Sequence, residues 1–292
     1  MSGIFFGDRA SPASSCAHLN AYLTGTEIYN NVKIMLKDCI PATLITIGLY
    51  AVLSFRNPLQ TVDTQIIDTL KTDYCLSPWL LLPAAIILIA PLVKMNIKPA
   101  MGISVLCASV LAVVMQGMSL GELLRTIIFG YQAKGELADI LSGGGISSMA
   151  HGCIMIAISA TYSGIFNGTH MLQPAEKQLE KLSERMSLFE ITAITGLPMI
   201  MFSCNQTLAL MLHVPLIKPL YQNKGLSNEQ LMLDVSNTTV LFSALVPWCL
   251  ACSMPLGMLE ASPACIPFAF YLYLPGLISL FRNRLRLKKG NL

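Results

Sequence analysis

Three short runs of oxygen-bearing side chains stand beside helix-breaking residues in this chain, and together they offer the ligands of a hard cation. The first lies in FFGDRASPASSCAHLN, residues 5–20. Asp8 supplies a carboxylate there, and Ser11, Ser14 and Ser15 supply hydroxyls around Pro12. The second run is Asn205, Gln206 and Thr207, directly after Cys204. The third, Asn237 and Thr238, opens a stretch that breaks at Pro247 and Trp248. Proline removes a backbone donor and crowds the preceding turn. Interrupted backbone survives at membrane depth only where protein or a water-filled cavity satisfies it. Carriers build ion and substrate sites from such interruptions, with freed carbonyls, hydroxyls and amides as ligands. Asp8 is the carboxylate of these runs that can exchange a proton or hold a cation. The plainer alternatives are a structural pair between Asp8 and Arg9, and a cytoplasmic turn with Pro12 at the first position of the next helix.

The elements that must position these residues are membrane helices. Hydrophobic residues make up 54% of the chain and charged residues 12%. A soluble domain carries roughly twice that charged fraction. The mean hydropathy is +0.61, and the remaining charge is clumped. The predicted class is all-α: a polytopic membrane protein with about seven hydrophobic segments, some of them discontinuous or re-entrant. Spans are expected over about 39–55, 78–93, 99–118, 147–172, 187–220, 236–258 and 262–281, forming one transmembrane domain over 1–292. Residues 28–38 read as a short interfacial helix capped by Thr26, following the broken motif within 1–38. Residues 173–186 read as a charged cytoplasmic surface helix, and 282–292 as a basic cytoplasmic tail.

Charge gives the expected orientation. Asp63, Asp68 and Asp73 suit an outer loop, whereas Lys33, Lys94 and the 173–186 helix suit the inside. Seven full crossings would leave the basic tail outside, so the fifth or sixth segment is expected to dip in and return. The net charge of +3 gives no argument for nucleic acid as a partner. No cleavable leader is legible at the start.

Other chemistries are weaker in this sequence. Cys249 and Cys252 form a C-x-x-C, which is either a redox or metal pair or two small residues in a packed helix. Gly143, Gly144 and Gly145 lack the lysine and strand of a nucleotide loop and read as a flexible turn. His18, His151, His170 and His213 show no metal-ligand spacing. Asn167, Asn205 and Asn237 begin Asn-x-Thr triplets but fall in or beside apolar segments, where they suit helix contacts or site lining. No cofactor is expected, and an enzyme using the cysteines or histidines is the remote alternative.

Longer motifs carry a family resemblance. FFGDRASPASS followed by LTGTEIYNNVKIML resembles the NhaC-type sodium/proton antiporters, as do SCNQTLALML at 203–212 and LFSALVPWCLACSMPLGM at 241–258. The order and spacing of these motifs fit that family from residue 4 to the tail. The resemblance implies secondary transport: exchange of a cation such as Na+ against protons, or of a small organic ion coupled to Na+ or H+. Two departures from the family pattern leave the coupling ion open. Ser15, Cys16 and Ala17 stand where an Asp and paired Thr are frequent, and Asn205–Gln206 stands where an Asp is frequent. The resemblance also begins at the first few residues, whereas family members carry a further N-terminal part. The expected partners are therefore the bilayer, the transported ion, and a missing N-terminal half or a second copy. The competing expectation is a fragment that binds a partner membrane chain without transporting alone.

Overall fold

The computed structural model describes residues 1–12, 14–56, 74–90, 93, 95, 97–133, 142–148, 150, 153–154, 157–158, 161, 165, 173–259 and 261–288. The expected fourth span, the acidic link with Asp63, Asp68 and Asp73, and Lys94, His151, Asn167, His170 and 289–292 lie wholly or largely outside these residues. The described residues are helical, without strands, apart from an isolated bridge between Tyr131 and Gly143. They fall into two compact units, 58–157 and the remainder.

The larger unit begins with helices α1 (Ser2–Ala10) and α2 (Ser15–Thr24), separated by the Pro12 break. Ser14 caps α2 by accepting from the amides of Cys16 and Ala17, and Gly25 ends it in the left-handed region. Such a cap is worth about 1 kcal/mol. Helix α3 then runs unbroken over Ile28–Arg56. The expected division into an interfacial helix and a span from residue 39 is corrected: Pro41 lies inside one 29-residue helix. Its buried residues Met35, Asp38, Cys39, Ala42 and Thr46 recur at helical spacing along one face. That face packs on the rest of the unit through the supposed boundary, which holds the helix together at the cost of one backbone bond. Its outward residues Ile40, Leu44, Ile47 and Val52 are exposed and suit lipid.

Three helices follow: α4 (Gln173–Leu182), α5 (Leu188–Ser203) and α6 (Gln206–Asn223). A capping box between Ser187 and Glu190 starts α5. Cys204 ends it with φ of 52°, a left-handed conformation that non-glycine residues seldom adopt, and Asn205 caps α6. Helix α7 (Asn228–Val235) passes into a π turn at Ser236–Val240 and a 3-10 turn at Ser243–Leu245. The chain breaks over 246–249 and resumes as α8 (Leu250–Met258). The two arms of this sixth segment are bent by 52°. After 3-10 turns at Pro263–Phe268 and Phe270–Leu272, helix α9 covers Leu274–Lys288. The expected seventh span over 262–281 is thus mostly not one helix, because Pro263 and Pro267 divide its first half.

The main core joins α2, α4, α5, α6 and α7 through Cys16, Leu179, Leu188, Ile191, Leu210, Val214 and Leu231, among others. Leu179 anchors α4 to it, so the 173–186 segment is a docked helix with one buried edge.

The smaller unit contains α10 (Leu82–Ile89), α11 (Ile97–Gln116) and α12 (Leu120–Phe129), with α10 packed on α11. The Gln116 amide clamps Cys75, donating to its carbonyl at 3.1 Å and accepting from its amide at 3.2 Å. The triple glycine is no free turn: Gly143 and Tyr131 exchange two backbone hydrogen bonds of 2.9 Å. A Cβ on Gly145 would lie 2.2 Å from the Gly130 nitrogen, so only glycine permits this approach.

Among the described residues, Ile28–Arg56 and Lys98–Gln116 are long and apolar enough to cross a membrane; the bent pair Asn228–Leu245 and Leu250–Gly257 makes a third if taken as one span. The expected count of seven is not reproduced. Interrupted helices account for part of the shortfall, since each break shortens the run available to cross.

Candidate functional site

The three breaks found in the sequence meet inside the larger unit. Asp8, on the last turn of α1, is half-buried. Ser14 Oγ donates to its Oδ1 at 2.7 Å, and Gln206 Nε2 donates to its Oδ2 at 3.3 Å. The same Gln206 nitrogen donates to the Val240 carbonyl at 3.0 Å. That carbonyl, at the end of the π turn, also accepts from Ser243 Oγ at 2.6 Å. One amide therefore ties the opening break to the break at 204–205 and to the irregular backbone of the sixth segment. A second tie runs from the Leu250 amide to the Cys204 carbonyl at 2.9 Å. The Trp248 indole also donates to the Met201 carbonyl at 3.1 Å.

The remaining residues singled out in the sequence are distributed unevenly. Asn205 is buried and accepts from the Thr207 amide at 2.8 Å, so its oxygen serves as the cap of α6. Ser11 caps the end of α1 through its backbone, while Ser15 is exposed at the start of α2. The Pro12 carbonyl accepts from His18 Nε2 at 2.8 Å. Thr238 Oγ1 donates back to the Asp234 carbonyl at 2.7 Å, within its own helix. Pro247 and Trp248 sit in the turn between the two bent arms and are exposed.

Asn237 belongs to a different cluster, centred on Asp38 of α3. The pair between Asp8 and Arg9 is corrected here: Arg9 Nη2 bonds Asp38 Oδ2 at 3.1 Å, with the guanidinium fully buried. Arg9 Nη1 also donates to the Tyr271 hydroxyl at 3.2 Å. Asn237 Nδ2 donates to Asp38 Oδ2 and to Ser279 Oγ, each at 2.9 Å. Arg282 Nη1 reaches Asp38 Oδ1 at 2.6 Å from α9, and Arg284 Nη2 pairs with Glu190 at 2.9 Å. The supposed basic tail thus carries two arginines that pair with carboxylates of this unit.

Sequence reasoning missed Asp38 because its partners lie 29, 199 and 244 positions away. It also passed over His213, which is fully buried between Thr195 and Thr239. Thr195 Oγ1 donates to the Ile191 carbonyl at 2.7 Å, so it accepts from His213 Nε2 at 2.7 Å; Nδ1 then accepts from Thr239 Oγ1 at 2.8 Å. Gly196 makes room, since a Cβ there would stand 2.7 Å from Thr239 Oγ1. Cys249 and Cys252 are both buried, and Cys249 packs with Ile200, Ala209 and Val246. No group of three His, Cys, Asp or Glu suited to a metal occurs among the described residues.

The chemistry of the Asp8 cluster follows from its donors. Among the described residues no cationic group lies within ion-pair distance of Asp8. Its two donors are neutral, each worth about 1.5–3 kcal/mol to a charged acceptor.

The sequence matches the Na+/H+ antiporter family over residues 3–281. It is 24% identical over 284 residues to an uncharacterized Na+/H+ antiporter of Haemophilus influenzae, covering 92% of this chain and 61% of that protein. It is 26% identical to the malate-2H+/Na+-lactate antiporter of Bacillus subtilis, covering 85% and 55%. It is 23% identical to the Na+/H+ antiporter NhaC of Alkalihalophilus pseudofirmus, covering 99% and 64%. The chain therefore spans about three-fifths of the length of these curated relatives. The expectation that an N-terminal part is what separates them is not borne out. No solved structure matches.

Proposed function

The chain belongs to the Na+/H+ antiporter family, and from that premise we propose that it takes part in secondary exchange of a small cation, Na+ first, against protons, or of an organic ion coupled to them. It is an integral membrane protein, and its family is one of transporters rather than enzymes. The cell (inner) membrane is the proposed location, with the basic helix end on the cytoplasmic side. One observation carries the reading: three separate backbone breaks meet around Asp8 and Gln206, and the donors to the Asp8 carboxylate are a serine hydroxyl and a glutamine amide.

In this reading Asp8 holds the cation or the proton, not both, because either one satisfies the same charge. Ser14 and the Val240 carbonyl add oxygens, and Gln206 positions the carboxylate. Ser11, Asn205, Thr207 and the Pro12, Pro247 and Trp248 breaks shape the surrounding backbone. Exchange follows when the cluster faces each side in turn, by movement of the broken arms. No cofactor is required.

The share of the relatives covered by this chain favours a second reading, in which exchange needs a further membrane chain or a second copy. Proteoliposomes holding the purified chain, with a pH-sensitive dye inside, separate the two. The first reading expects Na+-driven alkalinisation that disappears in Asp8→Asn. Exchange surviving Asp8→Asn and Gln206→Ala together would remove the site. Silence of the purified chain alone, restored by a co-expressed partner, would establish the second reading.

A further inference from the structure

We propose that Asp38 and Asn237 form a second position for a monovalent cation, and that Arg282 is a tethered competitor occupying it from the protein's own chain. This extends the reading of the chain as a cation exchanger and rests on it for its role in transport.

The two oxygens of Asp38 have unlike partners. Oδ2 is held by Arg9 and Asn237, both fully buried. Oδ1 is held at 2.6 Å by Arg282, whose side chain is 40% exposed. The fixed guanidinium of Arg9 already balances the carboxylate, so Arg282 is the surplus charge. A buried pair such as Arg9–Asp38 is hard to separate, whereas a half-exposed arginine can return to water at little cost.

A second observation comes from the amide that bonds the same carboxylate. Asn237 Oδ1 is buried and accepts no hydrogen bond. It belongs to the same amide whose nitrogen donates to Asp38 and Ser279. A buried acceptor left without a donor is uncommon and calls for a reason. A cation beside Asp38 Oδ1 supplies one, since hard monovalent cations take carboxylate and amide oxygens. Exchanging Arg282 for Na+ replaces one positive charge by another and leaves the charge of the buried cluster unchanged. Arginine in place and cation in place are thus alternative occupancies of one oxygen.

Competition of this kind lowers apparent affinity by the fraction of time that the site is free; an arginine in place nine-tenths of the time weakens binding about tenfold. The test is 22Na+ binding to the purified full chain in detergent, at ionic strength held constant with choline. Arg282→Gln is expected to bind Na+ about tenfold more tightly than the parent, and Arg282→Lys to stay near the parent, since it keeps a tethered cation. The gain should vanish in Asp38→Asn/Arg282→Gln and fall in Asn237→Ala/Arg282→Gln, which spares the carboxylate should the former not fold. An unchanged or weaker affinity in folded Arg282→Gln overturns the proposal, as does a gain that persists without Asp38. Proteoliposome exchange by Asp8→Asn reports separately on the first cluster. If it continues while Arg282→Gln still tightens Na+ binding, the Asp8 reading fails and the Asp38 position stands.

Discussion

Asp8 and Asp38 are both carboxylates inside the larger unit, the first on α1 and the second held by the next residue of α1, Arg9, yet they meet opposite surroundings. Asp8 contacts a serine hydroxyl and a glutamine amide. Asp38 contacts two guanidinium groups and an asparagine. The first has no ion pair among the described residues and is half-buried; the second is deeply buried and paired with two arginines. A fixed countercharge favours holding helices together, and in the reading proposed above an ion exchanges only at an oxygen that lacks one, at Asp8 or at the Arg282-facing oxygen of Asp38. The difference fits the exchange proposed at Asp8 and a structural tie of α1 to α3 through Arg9 and Asp38.

Substitutions sharpen or break this contrast. The largest effect is expected at Arg9→Gln, which leaves Asp38 buried without its fixed partner and costs about 3–5 kcal/mol. Thermal unfolding in detergent measures it, and a loss under 1 kcal/mol would end the assembly role. Next, Asp8→Asn should reduce exchange by about two orders of magnitude, roughly 2.7 kcal/mol in the barrier, while leaving the unfolding temperature almost unchanged. A large stability loss there would make both carboxylates structural. Gly196→Ala, away from both carboxylates, should cost about 1–3 kcal/mol by forcing Thr239 and His213 apart. An unchanged melting temperature would show that the surrounding turn yields easily. Ser15→Ala, at an exposed position, should change stability by no more than about 0.5 kcal/mol. It should leave exchange intact, and any loss would enlarge the Asp8 cluster.

The breaks were legible because local residues make them. Pro12 and Pro247 each remove a donor, and the polar Asn205–Gln206 pair interrupts an apolar run. The division of the sixth segment into bent arms followed from the same signals. Continuity was harder to read. Pro41 has the same local signature as Pro12, yet α3 passes through it, because packing along 35–46 outweighs one missing bond. The π turn at 236–240 left no local sign, nor did the partners of Asp38 and His213. Asp38, next to Lys37 in LKDC, reads as the end of an interfacial helix until a distant arginine is brought beside it. Hydropathy also counts apolar residues without testing whether their helix is continuous, so it did not show that Pro263 and Pro267 divide the seventh segment.

The bond between the Trp248 indole and the Met201 carbonyl crosses from one broken segment to the other. The chain has two tryptophans, so Trp79→Phe leaves a single emitter at that junction. Its fluorescence becomes an intrinsic optical gauge of whether the two segments stay latched or part company during a transport cycle, with no dye attached.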